Sequence, residues 1–357
     1  MTSPTSRRIR TLVWGAVPVV LLGGLLTVDR IPGTDIDLTV PYAAEGPGPT
    51  VNTLGEVDGT EVVEVHAPEV DETAGNLNMT TVSVRSHMTL VQALGRWLFT
   101  DDTIVPIDTV IPPNMNDDEV KEANQQAFNQ SESAATATAL RYLDMPMRVA
   151  VAGTMEGTSA DGALRDDDII THVDGKKVDE PRQVQDLVRE KSPGDDITLT
   201  VERDGKSQEK TVELGEHPET RGRNKGPLLG VLMKAVPADD IEVNYHLQDI
   251  GGPSAGMMFS LAVIDKLSPG ELNHGKFVAG TGTIGEDGAV GPIGGIKHKV
   301  EAASDAGAEL FLAPRDNCAE ALSGKHGDMT IAAVDTIDDA VDALDDYGRG
   351  ETPQLCE

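Results

Sequence analysis

The stretch 251–267, GGPSAGMMFSLAVIDKL, decides how the chain is read. Ser254 sits two residues from a glycine on either side and directly after Pro253, and an apolar run follows from Met257 to Ile264. A run of that kind reads as a buried helix, with proline well placed in its first turn. Ser254 is then expected near the helix N-terminus, where amides without intrahelical acceptors and the positive dipole end favour an oxyanion. The small neighbours Gly252 and Ala255 let a substrate backbone approach closely. Two readings of Ser254 stand side by side: a nucleophile, or an ordinary serine at a helix start.

A nucleophile needs a base. The segment Gly252–Gly256 also satisfies G-x-S-x-G, the nucleophile-elbow pattern, which requires a later acid and then a histidine. Asp287 or Asp316 followed by His326 would serve, but aspartate is so abundant that such a match carries no information. The chain left after the serine is also too short for the large parallel sheet of those hydrolases. The other option is a lysine whose amine burial keeps neutral, since an ordinary lysine titrates near ~10.4. In PIGGIKHKVEAASDAGA (292–308), Lys297 and Lys299 fall on one predicted helix with apolar positions at Ile296, Val300 and Ala303. At ~100° per residue Lys299 lies nearer that face, but periodicity alone leaves both candidates open.

Outward from this core the chain divides. Arg7, Arg8 and Arg10 belong to a basic flank (1–10) ahead of an uncharged run from Thr11 to Val28. At ~1.5 Å per residue that run reaches ~27 Å, enough to cross a bilayer core, and the basic flank orients it with the N-terminus inside. An uncleaved anchor at 11–28 is expected, because Asp29-Arg30 follows where a signal peptide would carry a small-residue cleavage site. The bulk of the chain is then extracytoplasmic. Residues 29–49 are rich in proline and glycine and read as a linker. Strands are expected at Glu61–His66 and Thr80–Arg85, and helices at Thr89–Trp97 and Asp117–Asp144.

Residues 144–215 change character, with short strands bounded by glycine turns and one helix, PRQVQDLVREK, opened by Pro181. The run Leu164-Arg165-Asp166-Asp167-Asp168-Ile169-Ile170, then Val173-Asp174-Gly175, Pro193-Gly194 and Arg203-Asp204-Gly205, resembles a bacterial PDZ domain, with Asp167 where such domains usually carry glycine. The resemblance implies capture of peptide ends by strand addition. The groove is expected between the strand with Arg148, Val149 and Val151 and the helix with Val184, Leu187 and Val188. A polar linker (216–225) precedes an α/β pattern over 226–345 and a C-terminal tail (346–357).

GGPSAG, followed by TGTIGEDGAVGPIGGIKHKVEAASDAGA, resembles the proteolytic domain of the Lon protease family. The resemblance implies a Ser–Lys dyad, with Ser254 as nucleophile and Lys297 as base, Lys299 at a second non-catalytic position, and Thr281 beside the dyad lysine. Residues 50–143 resemble the opening of the same domain more faintly, which implies one protease domain with the PDZ unit inserted into it. The expected fold is thus an α/β (α+β) Lon-type proteolytic domain with an inserted β-rich PDZ domain and an N-terminal transmembrane helix. The whole resembles membrane-anchored, PDZ-containing Lon-like proteases, and the family implies a homo-oligomer, commonly a hexameric ring.

Composition narrows the rest. A formal net charge of −31 repels nucleic-acid phosphates and anionic lipid, so no nucleic-acid partner is expected. The two cysteines, Cys318 and Cys356, either stay free thiols or, in an oxidising compartment, form a disulfide that pins the tail. No CxxC or HExxH pattern occurs, so no metal is expected. Gly280, Gly282 and Gly285 match GxGxxG, but EDGAVGP follows where a helix should open, so no nucleotide cofactor is expected. No G-x₄-G-K-[ST] motif occurs, so an ATP-independent endopeptidase acting on flexible or unfolded protein segments is the expected activity. The alternative is a PDZ adaptor on a protease-like fold with little or no activity.

Overall fold

The computed structural model describes residues 23–24, 28–31, 33–34, 36–113, 115–217, 226–238, 241–247 and 251–357. The expected anchor at 11–28 lies outside these, apart from Gly23, Gly24 and Val28. Among the described residues no helix is long and apolar enough to cross a membrane.

The first stretch supplies β1 (Tyr42–Asn52), β2 (Val63–His66), β3 (Asn76–Arg85), α1 (Leu90–Phe99), β4 (Thr103–Pro106) and the long helix α2 (Asp117–Tyr142). The middle supplies β5 (Met147–Thr154), β6 (Ile169–Val173), α3 (Pro181–Arg189), β7 (Asp196–Arg203), β8 (Lys206–Glu213) and β9 (Val231–Pro237). The last stretch supplies β10 (Glu242–Tyr245), α4 (Gly256–Leu267), β11 (Phe277–Gly280), β12 (Thr283–Ile284), β13 (Val290–Gly291), α5 (Ile296–Ala306), β14 (Leu310–Pro314), α6 (Cys318–Ala321), β15 (Thr330–Val334) and α7 (Ile337–Gly348).

A six-stranded sheet runs in the order β15-β14-β11-β3-β1-β4. It draws strands from both sides of the middle stretch: β3 pairs in parallel with β11, Asn76 opposite Phe277. Side chains alternate across it as strand geometry dictates. Val278, Leu310, Leu312, Ala332 and Val334 face one core, whereas Ala279, Phe311, Ala313, Ile331 and Ala333 face the other. The parallel part of this mixed sheet, β15-β14-β11-β3, needs cover on both faces. The first face receives α4, buried from Gly256 to Lys266, with Phe259 edge-on to Phe128 of α2 at 5.7 Å. The second face receives Ile296, Val300 and Ala303 of α5. There Cys318 and Cys356 are bonded, and the tail pairs along β15, with the Cys356 amide donating to the Ile331 carbonyl at 3.0 Å.

The middle stretch forms its own sheet, β8-β7-β6-β5-β9, around Val149, Val151, Ile170, Val184, Val188 and Leu199. Arg203 grips Asp168 through two hydrogen bonds of 2.6 Å, and Asp168 is only 1% exposed. Asp167 takes φ 65°, the left-handed turn conformation that explains the usual glycine there.

Three boundaries differ from expectation. The linker expected over 29–49 gives way to β1 at Tyr42, because the register break between Pro47 and Thr50 accommodates prolines that lack a donor. Residues 231–237, expected in the second protease part (226–345), instead pair with β5, Lys234 opposite Ala150. The serine helix begins at Gly256 with Ala255 as its cap, so Pro253 and Ser254 occupy the turn ahead of it rather than its first turn.

Ahead of β1, Asp29 and Leu38 close a small hairpin, with Arg30 bridged to Asp37. The Leu38 amide donates to the Asp29 carbonyl at 2.8 Å, and two residues on the Val40 amide donates to the Met88 carbonyl at 2.8 Å.

Candidate active site

The turn 251–255 is clamped onto α2. Gly252 takes φ 89°, a conformation that favours glycine, and its amide donates to the Asn124 carbonyl at 3.0 Å. The Ser131 hydroxyl donates to the Pro253 carbonyl at 3.1 Å. Gly256 is required by space: a Cβ there would stand 2.6 Å from Ser131 Oγ and 2.6 Å from Ile284 Cγ2. From the other side, the Gly282 amide (2.9 Å) and the Thr281 hydroxyl (3.0 Å) both donate to the Ser254 carbonyl. Ser254 is thus held at both ends while its side chain stays half-buried.

The lysine that meets it is Lys299. Its Nζ donates to Ser254 Oγ at 2.8 Å and to Thr281 Oγ1 at 2.9 Å. The expectation that Lys297 fills this place is corrected. Two positions along a helix are separated by ~200°, so only one of the pair can face the serine. The face of α5 that packs on the sheet carries Lys299, 2% exposed, while Lys297 is only half-buried and lies near Asp101. The helical periodicity already leaned towards Lys299.

Lys299 has no carboxylate within ion-pair distance among the described residues. Burial alone lowers its pKa to about 8. Thr281, fully buried, accepts from the lysine and donates to the Ser254 carbonyl, using its single proton and a lone pair consistently.

Ser254 and Lys299 open into a cleft of about 220 Å³ whose other walls are Pro49, Met79, Thr81, Val82, Gly251, Gly252 and Ala255. Pro49, Met79, Thr81 and Val82 come from the first stretch of the chain, where the faint resemblance singles out no site residue, and Asn124 and Ser131 were missed for the same reason. A second hollow of about 390 Å³ shares Gly251 and has apolar walls at Val110, Ile111 and Val120. A larger hollow, about 620 Å³ and lined mainly by charged groups such as Arg141, Glu180, Glu286 and Asp287, contains neither Ser254 nor Lys299. No cluster of metal-ligating side chains occurs among the described residues.

The groove expected along Arg148, Val149 and Val151 is also corrected. The strand that carries them, β5, is paired on both edges, by β6 and by β9, and Val149 and Val151 are wholly buried. Val184 and Val188 of α3 face the same core, with Leu187 packed beside it. The outer strand on that side of the sheet is β9, supplied from beyond the polar linker, so a reading confined to 144–215 could not reach it.

Two segments of the chain match known families. Residues 244–344 match the family described as Lon protease (S16) C-terminal proteolytic domain, and residues 144–214 match the PDZ domain family. Lon protease of Campylobacter concisus is 42% identical over 94 residues, covering 25% of this chain and 11% of that protein. Archaeal Lon protease of Archaeoglobus fulgidus is 26% identical over 152 residues, covering 40% of this chain and 24% of that protein. The chain therefore spans between about a tenth and a quarter of the length of these relatives. The PDZ domain of an SdrC-like protein from Listeria monocytogenes is 20% identical, with TM-score 0.22, and covers 24% of this chain and 85% of that domain.

Proposed function

We propose that the chain is a serine endopeptidase working through Ser254 and Lys299. The observation that carries the reading is a buried, carboxylate-free amine 2.8 Å from a serine hydroxyl at the mouth of a cleft. Lys299 Nζ takes the proton as Ser254 Oγ attacks the scissile carbonyl, then returns it to the leaving amine. A water, deprotonated by the same amine, then releases the acyl group. The oxyanion is held by backbone amides of the turn before the first intrahelical bond of α4. Thr281 orients the amine.

The substrates are flexible or unfolded protein segments, and no ATP is consumed; the absence of a P-loop motif in this sequence supports that. The side of β9 that pairs with no strand among the described residues, near α3, receives substrate tails by strand addition. The run 11–28 tethers the protein to the membrane with its bulk extracytoplasmic, as the Arg7–Arg10 flank and the disulfide support. A homo-oligomeric ring rests on the Lon resemblance.

Cleavage of an unfolded protein by the wild type and by Ser254→Ala, Lys299→Ala and Lys297→Ala tests the reading. Loss with the first two and retention with the third is expected. Cleavage that survives Lys299→Ala would defeat the dyad, and a wild type that cleaves nothing would leave the adaptor reading.

A further inference from the structure

Helix α1 carries its bulk on the outside. The one side chain it buries is Ala93, in a small cluster with Ala44 and Met88. Leu90, Val91, Leu94, Trp97, Leu98 and Phe99 are all exposed, Trp97 by 64%, Leu98 by 59% and Phe99 by 85%. Its polar groups are already engaged: the Gln92 side chain accepts from the Thr89 amide in a capping box, and Arg96 pairs with Asp102 at 2.6 Å. An amphipathic helix on a globular protein turns such residues inward; a contiguous exposed patch of this kind marks a surface that something covers.

The path of the chain says what covers it. The uncharged run 11–28 ends one residue before Asp29. The hairpin joins Asp29 to Leu38, and Val40 is bonded to Met88, next but one to the first residue of α1. Between Leu38 and Val40 the chain can span at most ~7 Å. Wherever the run 11–28 meets a bilayer, the N-terminus of α1 is therefore held close to that point. Trp97 and Phe99 suit the headgroup boundary, where aromatic side chains gather. The helix offers no unpaired cation and the chain carries a charge of −31, which selects neutral over anionic lipid.

We infer that α1 is an interfacial helix that lays its apolar face into a neutral phospholipid surface beside the anchor. This rests on the proposed tether at 11–28 and is independent of the peptidase reading. The sequence contains two tryptophans, Trp14 and Trp97, so Trp14→Phe leaves Trp97 as sole reporter. The full chain carrying that substitution is reconstituted into phosphatidylcholine vesicles with or without brominated acyl chains. Trp97 emission is expected to fall about twofold or more with the brominated lipid, and Leu98→Glu with Phe99→Glu should restore it. Protein that floats with the vesicles while Trp97 stays unquenched would overturn the inference and leave the tether standing. Failure to float would overturn both. An unquenched Trp97 whose emission shifts to the blue as protein concentration rises would overturn it in favour of a second copy of the chain.

Discussion

Lys299 is buried with no counter-charge beside it among the described residues, and its chemistry is set by that. With a pKa of about 8, roughly one molecule in ten holds a neutral amine at pH 7. The cleavage rate should therefore climb nearly tenfold per pH unit below about 8 and level off above about 9, as an initial-rate profile on an unfolded substrate would show. Stability should move the same way. The unfolded chain holds the Lys299 proton up to ~10.4 while the native state releases it near 8, so unfolding free energy rises with pH between those values. Replacing the charge should relieve the strain: Lys299→Met is expected to abolish cleavage yet raise stability at pH 7 by about 1 to 3 kcal/mol in urea titrations. The serine was legible in GGPSAG because glycines and proline shape that turn. The lysine was only half-legible, since a pattern match fixes neighbouring positions less firmly than the helix face they occupy.

Among the elements, strands and helices with clean periodicity were readable from the sequence. The expected helix at Thr89–Trp97 stands as Leu90–Phe99 and that at Asp117–Asp144 as Asp117–Tyr142. Pairing between distant segments, such as β9 with β5, was not readable, since no local signal encodes a partner some eighty residues away. The turn at Asp167-Asp168 shows local chemistry at work. Asp167→Gly should stabilise the middle sheet by roughly 0.5 kcal/mol, the strain of the left-handed aspartate outweighing the entropy glycine adds to the unfolded chain. The Lys234 partner it would lose is 43% exposed and of little consequence. Arg203→Leu should do the opposite, leaving Asp168 buried and unpaired at a cost of about 3 to 5 kcal/mol. Thermal unfolding of the two variants separates the effects.

At the scale of the molecule, the Cys318–Cys356 bond closes a loop across a sequence separation of 38 residues. Reduction should destabilise the fold by about 4 kcal/mol on a chain-entropy estimate, and a melting curve with and without reductant measures it. The division into a PDZ-like unit and an α/β unit was legible because each keeps its own pattern. The ends of the insertion were not, since its sheet is completed by β9, whose sequence reads as the opening of the second protease part. The six-stranded sheet carries a further consequence for how the protein comes into being. Strand β3 emerges at residues 76–85, but its partner β11 lies at 277–280 and the outer strands β14 and β15 come only at 310–334. A growing chain must therefore hold an unfinished sheet through some two hundred residues of synthesis, while the middle unit can fold within its own span. Ser254 lies at the head of α4 and Lys299 on α5, beyond β11, so a nascent chain carries the two groups apart until the sheet between them can close.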